Sequence, residues 1–440
     1  MTRVTLAPSS ERVVRIAVLG CGNVGSALVG MLQDRTDALA VQSGARLEIG
    51  GIAVHDVSLD RPPHVPRHLL TDDPAGLVAD PSIDVVVELI GGLVPAEGLV
   101  RTALENGRPV VTANKTLLAS PEGVALRGLA KRQGVDLLYE AAVAGAIPLV
   151  RALRESLTGE RIHRVIGIVN GTTNFILTKM SEQGADYADV LAEAQALGLA
   201  ERDPTADVEG YDAAAKAAIL AGVAFGYDVA ATDVMREGIT AVRVVDIEFA
   251  ERLGYAVKLL AIVERNGDDA LSVRVHPALI PKTHPLAGVR DAFNAVFIEG
   301  EAAGELMLYG QGAGGLPTAS AVVGDLIDAV RNRLAGTTAP APDRQPARLL
   351  PHSDLQSQCY VSIDVTDRPG VLAAVTKVFG DHNVSIRSME QEGYAGEARL
   401  LFVTHVAREG DLRSTLQALA ELDTVEQIGG VMRIVGDADL

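Results

Sequence analysis

The segment Gly198–Lys216 carries the side chains best suited to chemistry, because five acidic residues precede a lysine on an otherwise alanine-rich and aliphatic stretch. Asp212 and Lys216 are four residues apart and would share one face of a helix. An ordinary exposed ion pair contributes little to stability, but this helix is apolar on most sides, so we expect the pair to be buried. Burying charges costs solvation and suggests a functional reason. Such a pair can hold a substrate ammonium and poise a proton donor.

A glycine-rich turn, Gly20–Gly25, follows a predicted strand and opens a predicted helix. Glycines allow the chain to turn tightly and to approach a pyrophosphate, and the helix N-terminus adds N–H donors and positive potential. At the start of a strand–helix–strand sequence, the pattern favours dinucleotide binding over a plain turn. Cys21, inside this turn, is predicted to be a small packing residue and not a nucleophile.

The residues after the second predicted strand would lie at the adenosine side of such a dinucleotide. Asp56 can accept a hydrogen bond from a ribose hydroxyl, which favours NAD. His55 or Arg61 can instead meet a 2′-phosphate, which favours NADP. A carboxylate that only caps a turn fits Asp56 equally well, so the sequence leaves the choice between NAD and NADP open.

Three further segments each have a chemical and an ordinary explanation. Lys115 follows the fourth predicted strand, at the edge where doubly wound sheets bind ligands, and it either donates to a carbonyl oxygen or simply starts a surface helix. Asn170–Asn174 either forms a turn with a helix cap or places N–H groups against cofactor or substrate. The glycine-rich segment Tyr309–Thr318 is either a hinge or a place where backbone approaches a nicotinamide.

The elements that must position these residues begin with short apolar runs that alternate with helical segments. This alternation predicts an α/β fold with a parallel, doubly wound sheet of the Rossmann type. The predicted strands are Val13–Leu19, Leu47–Val54, Val85–Leu89, Val110–Thr112 and Val135–Tyr139, with helices that include Asn23–Arg35, Pro95–Asn106 and Ser120–Gln133.

The middle of the chain changes to an α+β pattern, which predicts a substrate and dimerisation domain with an antiparallel sheet. The predicted strands are Arg161–Val169, Ser272–Leu279, Ala295–Glu299 and Glu305–Tyr309, and the predicted helices are Phe175–Gln183, Tyr187–Leu197, Ala213–Ala224 and Ala319–Leu334. The last of these helices is expected to pack back on the first domain.

Prolines and small residues without periodicity mark a linker from Ala335 to about Ser353. Beyond it, the order of predicted elements is βαββαβ, which is typical of a ferredoxin-like domain. These six elements are Cys359–Val365, Val371–His382, Val384–Glu392, Ala398–His405, Leu412–Leu419 and Val431–Ile434. We therefore predict domains at 1–145, 146–316 and 355–440, with a packed-back helix at 317–334 and a linker at 335–354.

The composition disfavours several classes of protein. A net charge of −18 would repel nucleic acid. Two cysteines far apart in sequence indicate no disulfide framework and a reducing compartment. No apolar run is long enough for a membrane helix, and Met1–Arg12 lacks the apolar stretch of a signal peptide. We expect a cytoplasmic protein with neither nucleic acid nor membrane as a partner.

Taken together, these motifs resemble those of homoserine dehydrogenases over about residues 13–335, and the tail resembles an ACT domain. The segment Gly198–Lys216, with its Asp-Pro, Asp-Val-x-Gly-x-Asp and final Lys in register, is the most specific part. Ala113–Lys115, Asn170–Asn174 and Gly310–Gly314 follow the family's motifs in the family's order. The resemblance implies an NAD(P)-dependent oxidoreductase that interconverts L-aspartate 4-semialdehyde and L-homoserine in threonine, methionine and isoleucine biosynthesis.

The resemblance also implies roles for individual residues. Lys216 would protonate the forming alkoxide, and Lys115 would bind near the same oxygen and the cofactor. The implied substrate-binding residues are Glu201, Asp212, Gly171 and Thr172. The implied cofactor-binding residues are Gly20, Gly22, Asn23, Val24, Gly25, His55, Gly91, Gly92, Lys115, Gly198, Gly312 and Gly314.

A cation site and a regulatory tail are implied in the same way. Glu140 and the carbonyls of Val143, Gly145 and Ile147 match a site for Na⁺ or K⁺, which would be supportive because hydride transfer to an aldehyde does not need it. The segment Asp367–Leu372 matches the loop after the first strand of ACT domains. Such domains pair and bind amino acids, which implies a homo-oligomer, dimer or tetramer, under feedback control by L-threonine.

Two departures and two alternatives accompany the resemblance. Leu199 stands where the family often has an aromatic residue, and His55 stands where many members have arginine, which bears on NADP preference. A non-catalytic NAD(P)-binding amino-acid sensor would not need Lys115, Asp212 and Lys216 together. A different ACT-linked dehydrogenase would lack the segment that ends at Lys216.

Overall fold

The structure is a computed structural model that describes residues 12–267, 270–394 and 397–436. Of the predicted N-terminal segment Met1–Arg12, all but Arg12 lies outside these ranges. The chain divides into two compact units. The first comprises Met1–Arg161, Ala218–Ala231 and Leu308–Pro346, and the second comprises Ile162–Ala217, Thr232–Met307 and Ala347–Leu440. Among the described residues, no helix is long and apolar enough to cross a membrane.

A six-stranded parallel sheet forms the centre of the first unit. Its strands are β1 (Val13–Leu19), β2 (Arg46–Ala53), β3 (Leu70–Thr71), β4 (Val85–Glu88), β5 (Val110–Thr112) and β6 (Leu137–Leu138). Their order, β3-β2-β1-β4-β5-β6, is that of a dinucleotide-binding Rossmann sheet and confirms the predicted fold class. Strand β3 was not predicted, because two residues are too short to show a hydrophobic period.

Helices cover both faces of this sheet, so most of its strand residues are apolar and buried. The helices are α1 (Asn23–Asp34), α2 (Thr36–Ser43), α3 (Pro74–Ala79), α4 (Ala96–Glu105), α5 (Lys115–Leu118), α6 (Pro121–Gln133) and α7 (Leu149–Arg151). A long later helix, Gly315–Ala335, packs against α1 and shares its hydrophobic core through Val322 and Leu326. Cys21 is buried in the same core, and burial raises the pKa of its thiol, which suits a packing residue.

The second unit is built on an antiparallel sheet whose strands β7, β10, β11 and β12 are adjacent. The elements from residue 162 onward are β7 (Ile162–Ile168), α8 (Gly171–Gln183), α9 (Tyr187–Ala196), α10 (Thr205–Val208), α11 (Tyr211–Phe225), β8 (Tyr227–Asp228), β9 (Met235–Arg236), α12 (Val244–Arg252), β10 (Tyr255–Asn266), β11 (Ala270–Pro281), β12 (Phe293–Gly300), β13 (Gly304–Gln311) and α13 (Gly315–Ala335). The antiparallel prediction is confirmed, but α12 and the central strand β10 were not predicted. Strand β10 is buried along most of its length, so it lacks the alternation that marks a half-buried strand.

Strand β10 also carries a buried lysine. Lys258 is only 4% exposed, and its ammonium donates to the Asn174 side-chain oxygen at 3.1 Å and to the Val289 carbonyl. Burial lowers the pKa of Lys258 to about 8. Between this value and the ordinary value of 10.5, the unfolded chain binds more protons than the folded chain. Raising the pH through this window therefore favours the folded state.

We expect Lys258→Met to remove this pH dependence. As the pH rises from about 7.5 to about 9.5, wild type should gain about 1–2 kcal/mol of unfolding free energy relative to the variant. Urea denaturation at both pH values measures the difference, and Lys282→Met on exposed Lys282 is the matched control. A constant difference between wild type and Lys258→Met would contradict the expected titration.

The C-terminal elements reproduce the predicted βαββαβ order. After the short strands β14 (Gln345–Pro346) and β15 (Arg348–Leu349), they are β16 (Gln356–Thr366), α14 (Val371–Asp381), β17 (Ile386–Tyr394), β18 (Glu397–Thr404), the short β19 (Ala407–Arg408), α15 (Glu409–Ala420) and β20 (Val425–Ile434). The sheet order β20-β16-β18-β17 is ferredoxin-like.

The C-terminal sheet is joined to the sheet of the substrate region. Strand β20 pairs with β16 on one side and, in parallel, with the end of β11 on the other, through Ala278–Arg433 and Leu279–Ile434. The two sheets thus form one 12-stranded sheet. This junction was not predicted, because pairing between strands so far apart in sequence leaves no local pattern.

Candidate active site

The glycine-rich turn after β1 has the geometry that a dinucleotide requires. Gly20 has φ +99°, and a Cβ there would lie 2.7 Å from the Leu89 carbonyl oxygen. A Cβ on Gly25 would lie 2.2 Å from the Gly20 carbonyl oxygen, so both positions exclude any other residue. A Cβ on Gly22 would meet no atom within 4 Å. The space beside Gly22 and the uncapped N-terminus of α1 therefore fit a pyrophosphate.

Glu88, at the carboxyl end of β4, organises the neighbouring loops and was not predicted. It is fully buried, and one carboxylate oxygen accepts from the amides of Ile90 and Gly91 at 2.8 and 3.0 Å. The other accepts from the Thr112 hydroxyl at 2.6 Å. Gly91 and Gly92 both have positive φ, and a Cβ on either would meet no atom within 4 Å. An acidic residue that ends an apolar strand before two glycines is the signal that sequence reasoning could have used.

Lys115 is held at this same edge by its neighbour Asn114. The Asn114 side-chain oxygen caps α5 through the Leu117 amide, and its side-chain nitrogen donates to the Gly92 carbonyl at 2.7 Å. Lys115 is the first residue of α5 and is half-buried. The loops after β4 and β5 are thereby fixed together, with Lys115 at their junction.

At the adenosine side of the turn, Asp56 and Arg61 make different contacts. The Asp56 carboxylate accepts from the amide and hydroxyl of Ser58 at 2.8 and 2.6 Å, and these hydrogen bonds lower the pKa of Asp56. Asp56 thus caps its own turn. Arg61 instead donates to the carbonyl of Cys21 at 2.7 Å and to that of Asp56 at 3.2 Å. His55 is exposed beside it, so basic groups lie next to the glycine-rich turn.

The second glycine-rich segment lies against the first within the same unit. A Cβ on Gly315 would lie 2.9 Å from the Asn23 carbonyl oxygen, at the start of α1. A Cβ on Gly145 would lie 2.5 Å from the Gly312 carbonyl oxygen. The chain at Gly315 therefore passes beside Asn23, whereas Gly312 lies against Gly145. The segment leads directly into α13, which begins at Gly315.

Among the residues matched to a monovalent cation, some oxygens accept hydrogen bonds and others do not. Each Glu140 carboxylate oxygen accepts from a main-chain amide at the start of α7, Val150 or Arg151, at 2.8 Å. The Ile147 carbonyl accepts from Leu149 at 2.8 Å. The carbonyls of Val143 and Gly145 are buried and accept no hydrogen bond from the described residues. Unpartnered buried carbonyls fit a cation of the Na⁺ or K⁺ type. The described residues contain no cluster of His, Cys, Asp and Glu that would hold a metal ion.

In the second unit, Lys216 and Asp212 form the buried pair that the sequence predicts. They are 8% and 6% exposed. The Lys216 ammonium donates to an Asp212 carboxylate oxygen at 2.7 Å and to the Val169 carbonyl at 2.6 Å. Helix α11 supplies both side chains, because the four-residue spacing places them one turn apart on the same face. Val169 directly follows strand β7.

Asn170 completes this group, although the sequence left open whether its segment caps a helix or lies against cofactor or substrate. Its side-chain oxygen caps α8 by accepting from the Thr173 amide at 2.9 Å. Its side-chain nitrogen donates to Asp207 at 2.7 Å and to Asp212 at 2.9 Å. We call Asn170, Asp207, Asp212 and Lys216 the Lys216 cluster. Its two carboxylates and one ammonium leave it with a net charge of about −1, which would attract a substrate ammonium.

The remaining motif residues mostly support the surrounding backbone. Helix α8 begins at Gly171, four residues before the predicted Phe175, so the motif forms its cap and first turn. A Cβ on Gly171 would lie 2.6 Å from the Ala292 carbonyl oxygen, which requires glycine there. The Thr172 hydroxyl donates to the Leu199 carbonyl at 2.7 Å and ties α8 to the loop that follows α9.

The loop after α9 carries the other predicted substrate and cofactor residues. Gly198 has φ +72°, a left-handed conformation that favours glycine. Leu199 and Glu201 are exposed, and the Glu201 carbonyl accepts from the Gln195 side chain at 3.0 Å. The structure thus places Glu201 on an exposed loop rather than among the buried groups.

Comparison with known proteins gives a consistent picture. The chain matches the family model for homoserine dehydrogenase over residues 148–327, the model for the homoserine dehydrogenase NAD-binding domain over 20–140, and the ACT domain model over 360–424. It is 51% identical to a homoserine dehydrogenase of Mycobacterium tuberculosis, over 98% of this chain and 99% of that protein.

Solved structures agree. A homoserine dehydrogenase from Thiobacillus denitrificans matches with a TM-score of 0.91 and 40% identity, over 96% of this chain and 98% of that one. A hyperthermophilic archaeal homoserine dehydrogenase in complex with NADPH matches with a TM-score of 0.61 and 30% identity, over 72% of this chain and 97% of that one.

Proposed function

Because this chain belongs to the homoserine dehydrogenase family, we propose that it interconverts L-aspartate 4-semialdehyde and L-homoserine with NAD(P), and that the Lys216 cluster is the substrate site. The observation that carries the proposal is the buried pair of Asp212 and Lys216, held by Asn170. Membership of this family excludes the alternative of a different ACT-linked dehydrogenase. A non-catalytic sensor remains the alternative that experiment must exclude.

The chemistry assigns a different task to each charge of the cluster. Asp212 and Asp207 supply the negative charge that holds the substrate ammonium. Lys216 is a charged donor fixed by two hydrogen bonds, so in the reducing direction it delivers a proton to the oxygen on which negative charge develops. In the oxidising direction it takes the proton back. Lys115 stabilises the same oxygen, and Glu201, Gly171 and Thr172 shape the substrate site.

The glycine-rich turn is proposed to hold the cofactor, which supplies or accepts the hydride. Gly20, Gly22, Asn23, Val24 and Gly25 would bind the pyrophosphate. The other residues proposed to line the cofactor are Gly91, Gly92, Gly198, Gly312 and Gly314. The carbonyls of Val143 and Gly145, with Glu140 and Ile147, are proposed to bind a supporting Na⁺ or K⁺.

We propose that the enzyme prefers NADP. The Asp56 carboxylate is engaged by Ser58, whereas the Arg61 guanidinium, held by the carbonyls of Cys21 and Asp56, places positive charge beside the glycine-rich turn. The archaeal relative with NADPH supports the same choice. A guanidinium suits a 2′-phosphate, and NAD offers it no such partner.

Arg61→Ala tests this preference. Losing one charged hydrogen-bonded contact is expected to raise KM for NADP about tenfold, with little change for NAD. Steady-state kinetics with each cofactor measure the ratio. Arg67→Ala is the matched control, because exposed Arg67 pairs with Asp60 in the same loop. Equal losses with NADP and NAD would assign Arg61 a purely structural role.

The biological setting follows from the same proposal. The protein would act in the cytoplasm in threonine, methionine and isoleucine biosynthesis, as a homo-oligomer, dimer or tetramer. Its ACT domain would confer feedback inhibition by L-threonine.

The direct test of activity follows the absorbance of reduced nicotinamide when purified protein is mixed with L-homoserine and NAD or NADP in parallel. Homoserine-dependent reduction of the cofactor supports the enzyme. A folded protein that binds NADPH but reduces neither cofactor would favour the sensor.

A further inference from the structure

The segment 170–174 ends in a second asparagine, Asn174, to which the proposed mechanism assigns no task. Asn174 is 1% exposed and lies in α8, one turn beyond Asn170. Asn170 caps this helix and donates to the carboxylates of the Lys216 cluster. A buried side-chain amide has to satisfy its own polar atoms, so the partners of Asn174 indicate what it does.

Asn174 holds a turn, residues 289–293, that leads into β12 and that we call the supporting turn. Its side-chain nitrogen donates to the Asp291 carbonyl at 2.8 Å and to the carbonyls of Val289 and Phe293 at 3.3 Å each. Asp291 has φ +53°, a left-handed conformation that residues other than glycine adopt only where their surroundings hold them. Asn174 is therefore a group that fixes a strained turn.

Lys258 of β10 orients the Asn174 amide. Its ammonium donates to the Asn174 side-chain oxygen at 3.1 Å and to the Val289 carbonyl, so the side-chain nitrogen of Asn174 faces the supporting turn. Both side chains are buried, and among the described residues the ammonium has only these two neutral partners. Burying an ammonium in this way costs solvation free energy, which suggests that Lys258 serves more than local stability.

The supporting turn lies directly against the start of α8. A Cβ on Gly171 would lie 2.6 Å from the Ala292 carbonyl oxygen, so backbone meets backbone with no side chain between them. Asn170 immediately precedes Gly171, and its side-chain nitrogen reaches Asp207 and Asp212 at 2.7 and 2.9 Å. A shift of the supporting turn would therefore move Asn170 relative to both carboxylates.

The start of α8 also holds a second part of the proposed substrate site. The Thr172 hydroxyl donates to the Leu199 carbonyl at 2.7 Å, and Leu199 lies in the loop that carries Gly198 and Glu201. Displacing the first turn of α8 would thus disturb this loop together with the carboxylates.

We propose that Asn174, oriented by Lys258, is a positioning residue of the substrate site. It fixes the supporting turn, and this turn keeps the Asn170 amide on the two carboxylates that bind the substrate ammonium. The effect falls on substrate binding more than on proton transfer, because the Val169 carbonyl still holds Lys216. This role rests on the proposed function, since it concerns the same substrate site.

Two variants remove the two parts of the device. Asn174→Ala takes away the donor to the supporting turn, and Lys258→Met takes away the group that orients Asn174. Calorimetry measures the binding of L-homoserine to the full-length protein saturated with NADPH, a pair that cannot react because both molecules are in the reduced form. We expect the Kd of L-homoserine to rise about tenfold in each variant, with the Kd of NADPH unchanged and a much smaller change in kcat.

A double variant shows whether the two residues act through one turn. Asn174→Ala combined with Lys258→Met should bind L-homoserine about as weakly as either single variant, because the second change removes a support that is already lost. Two independent effects would multiply to about a hundredfold and would contradict the shared role. Asn266→Ala is the matched control, because Asn266 also lies on β10 but donates to the nearby Glu264 carbonyl.

Two further variants separate positioning from a general loss of stability. Asn174→Asp keeps an oxygen that Lys258 can bind but has no donor for the supporting turn. It should therefore fold and still bind L-homoserine about tenfold more weakly. Phe379→Leu alters a fully buried residue of the C-terminal core, so it should lower stability without changing the Kd of L-homoserine. Equal weakening in Phe379→Leu would overturn the positioning role.

Hydrogen exchange follows the same transmission without substrate. Asn174→Ala should speed amide exchange in residues 205–216, which carry Asp207 and Asp212, as well as in residues 171–176. Faster exchange confined to α8 and the supporting turn would overturn the inference, as would an unchanged Kd of L-homoserine in folded Asn174→Ala and Asn174→Asp. Wild type that neither binds nor oxidises L-homoserine would instead overturn the proposed function on which this role rests.

Discussion

Replacing Lys216 with alanine is expected to lower kcat for homoserine oxidation by about 10²–10⁴-fold, the range that a positioned proton donor contributes. Lys216 is the cationic member of the cluster, and two short hydrogen bonds fix its ammonium. Without it, the oxygen that loses or gains a proton has no positioned acid–base partner. Binding of NADPH, which the proposal assigns to the glycine-rich turn, should be retained.

Two further variants make this prediction specific. Lys216→Arg keeps the charge but moves the donor atoms, so it should fold without reaching the parental rate. Lys179→Ala is the matched control, because Lys179 is another helical lysine that pairs with a carboxylate, Glu193, but is only partly buried. A folded Lys216→Ala protein that oxidises homoserine at the parental rate would remove Lys216 from the mechanism.

The second large expected effect is a loss of stability when Arg433 of the C-terminal domain is replaced. Arg433→Ala is expected to cost about 3–5 kcal/mol of unfolding free energy, because it leaves buried charge without its partner. Glu409 is 4% exposed and accepts two hydrogen bonds from Arg433. Glu237 on the substrate side loses its ion pair as well. Urea denaturation followed by circular dichroism measures the loss in the first unfolding transition.

A further variant separates the effect of unpaired buried charge from the effect of lost packing. Converting Arg433 to Met together with Glu409→Gln and Glu237→Gln removes all three charges and should recover much of the stability. The matched control is Arg408→Ala, because the exposed pair of Arg408 with Asp354 is expected to contribute at most about 1 kcal/mol. Equal stability losses in Arg433→Ala and Arg408→Ala would show that the buried network contributes little.

Local patterns predicted the elements of the fold well where those elements are regular. The strands around Val13–Leu19 and Val110–Thr112 match the structure residue for residue, because apolar runs between turn residues are distinctive. Strand β10 was not predicted because both of its faces are buried. The pairing of β20 with β11 was not predicted because it joins segments more than a hundred residues apart, and no local signal encodes such a contact.

The site was predictable only in part for the same reason. Asp212 and Lys216 are one helical turn apart, so their contact follows from local geometry. Asn170 and Asp207 join them through tertiary contacts, which no local pattern around Asn170 could have revealed. Glu88 was missed because its partners Gly91 and Thr112 meet it only after the sheet forms. Glu201, to which the resemblance assigns substrate binding, lies on an exposed loop.

We propose that L-homoserine bound at the Lys216 cluster passes its hydride directly to the nicotinamide cofactor that the Gly20–Gly25 turn holds. L-Homoserine carrying two deuteriums on carbon 4 tests it, with mass spectrometry of the reduced nicotinamide as the measurement. Wild type is expected to place one deuterium on the cofactor, and Lys216→Ala is expected to do so far more slowly. Reduced cofactor without deuterium, or no reduction by a folded wild-type protein that binds NADPH, would contradict it.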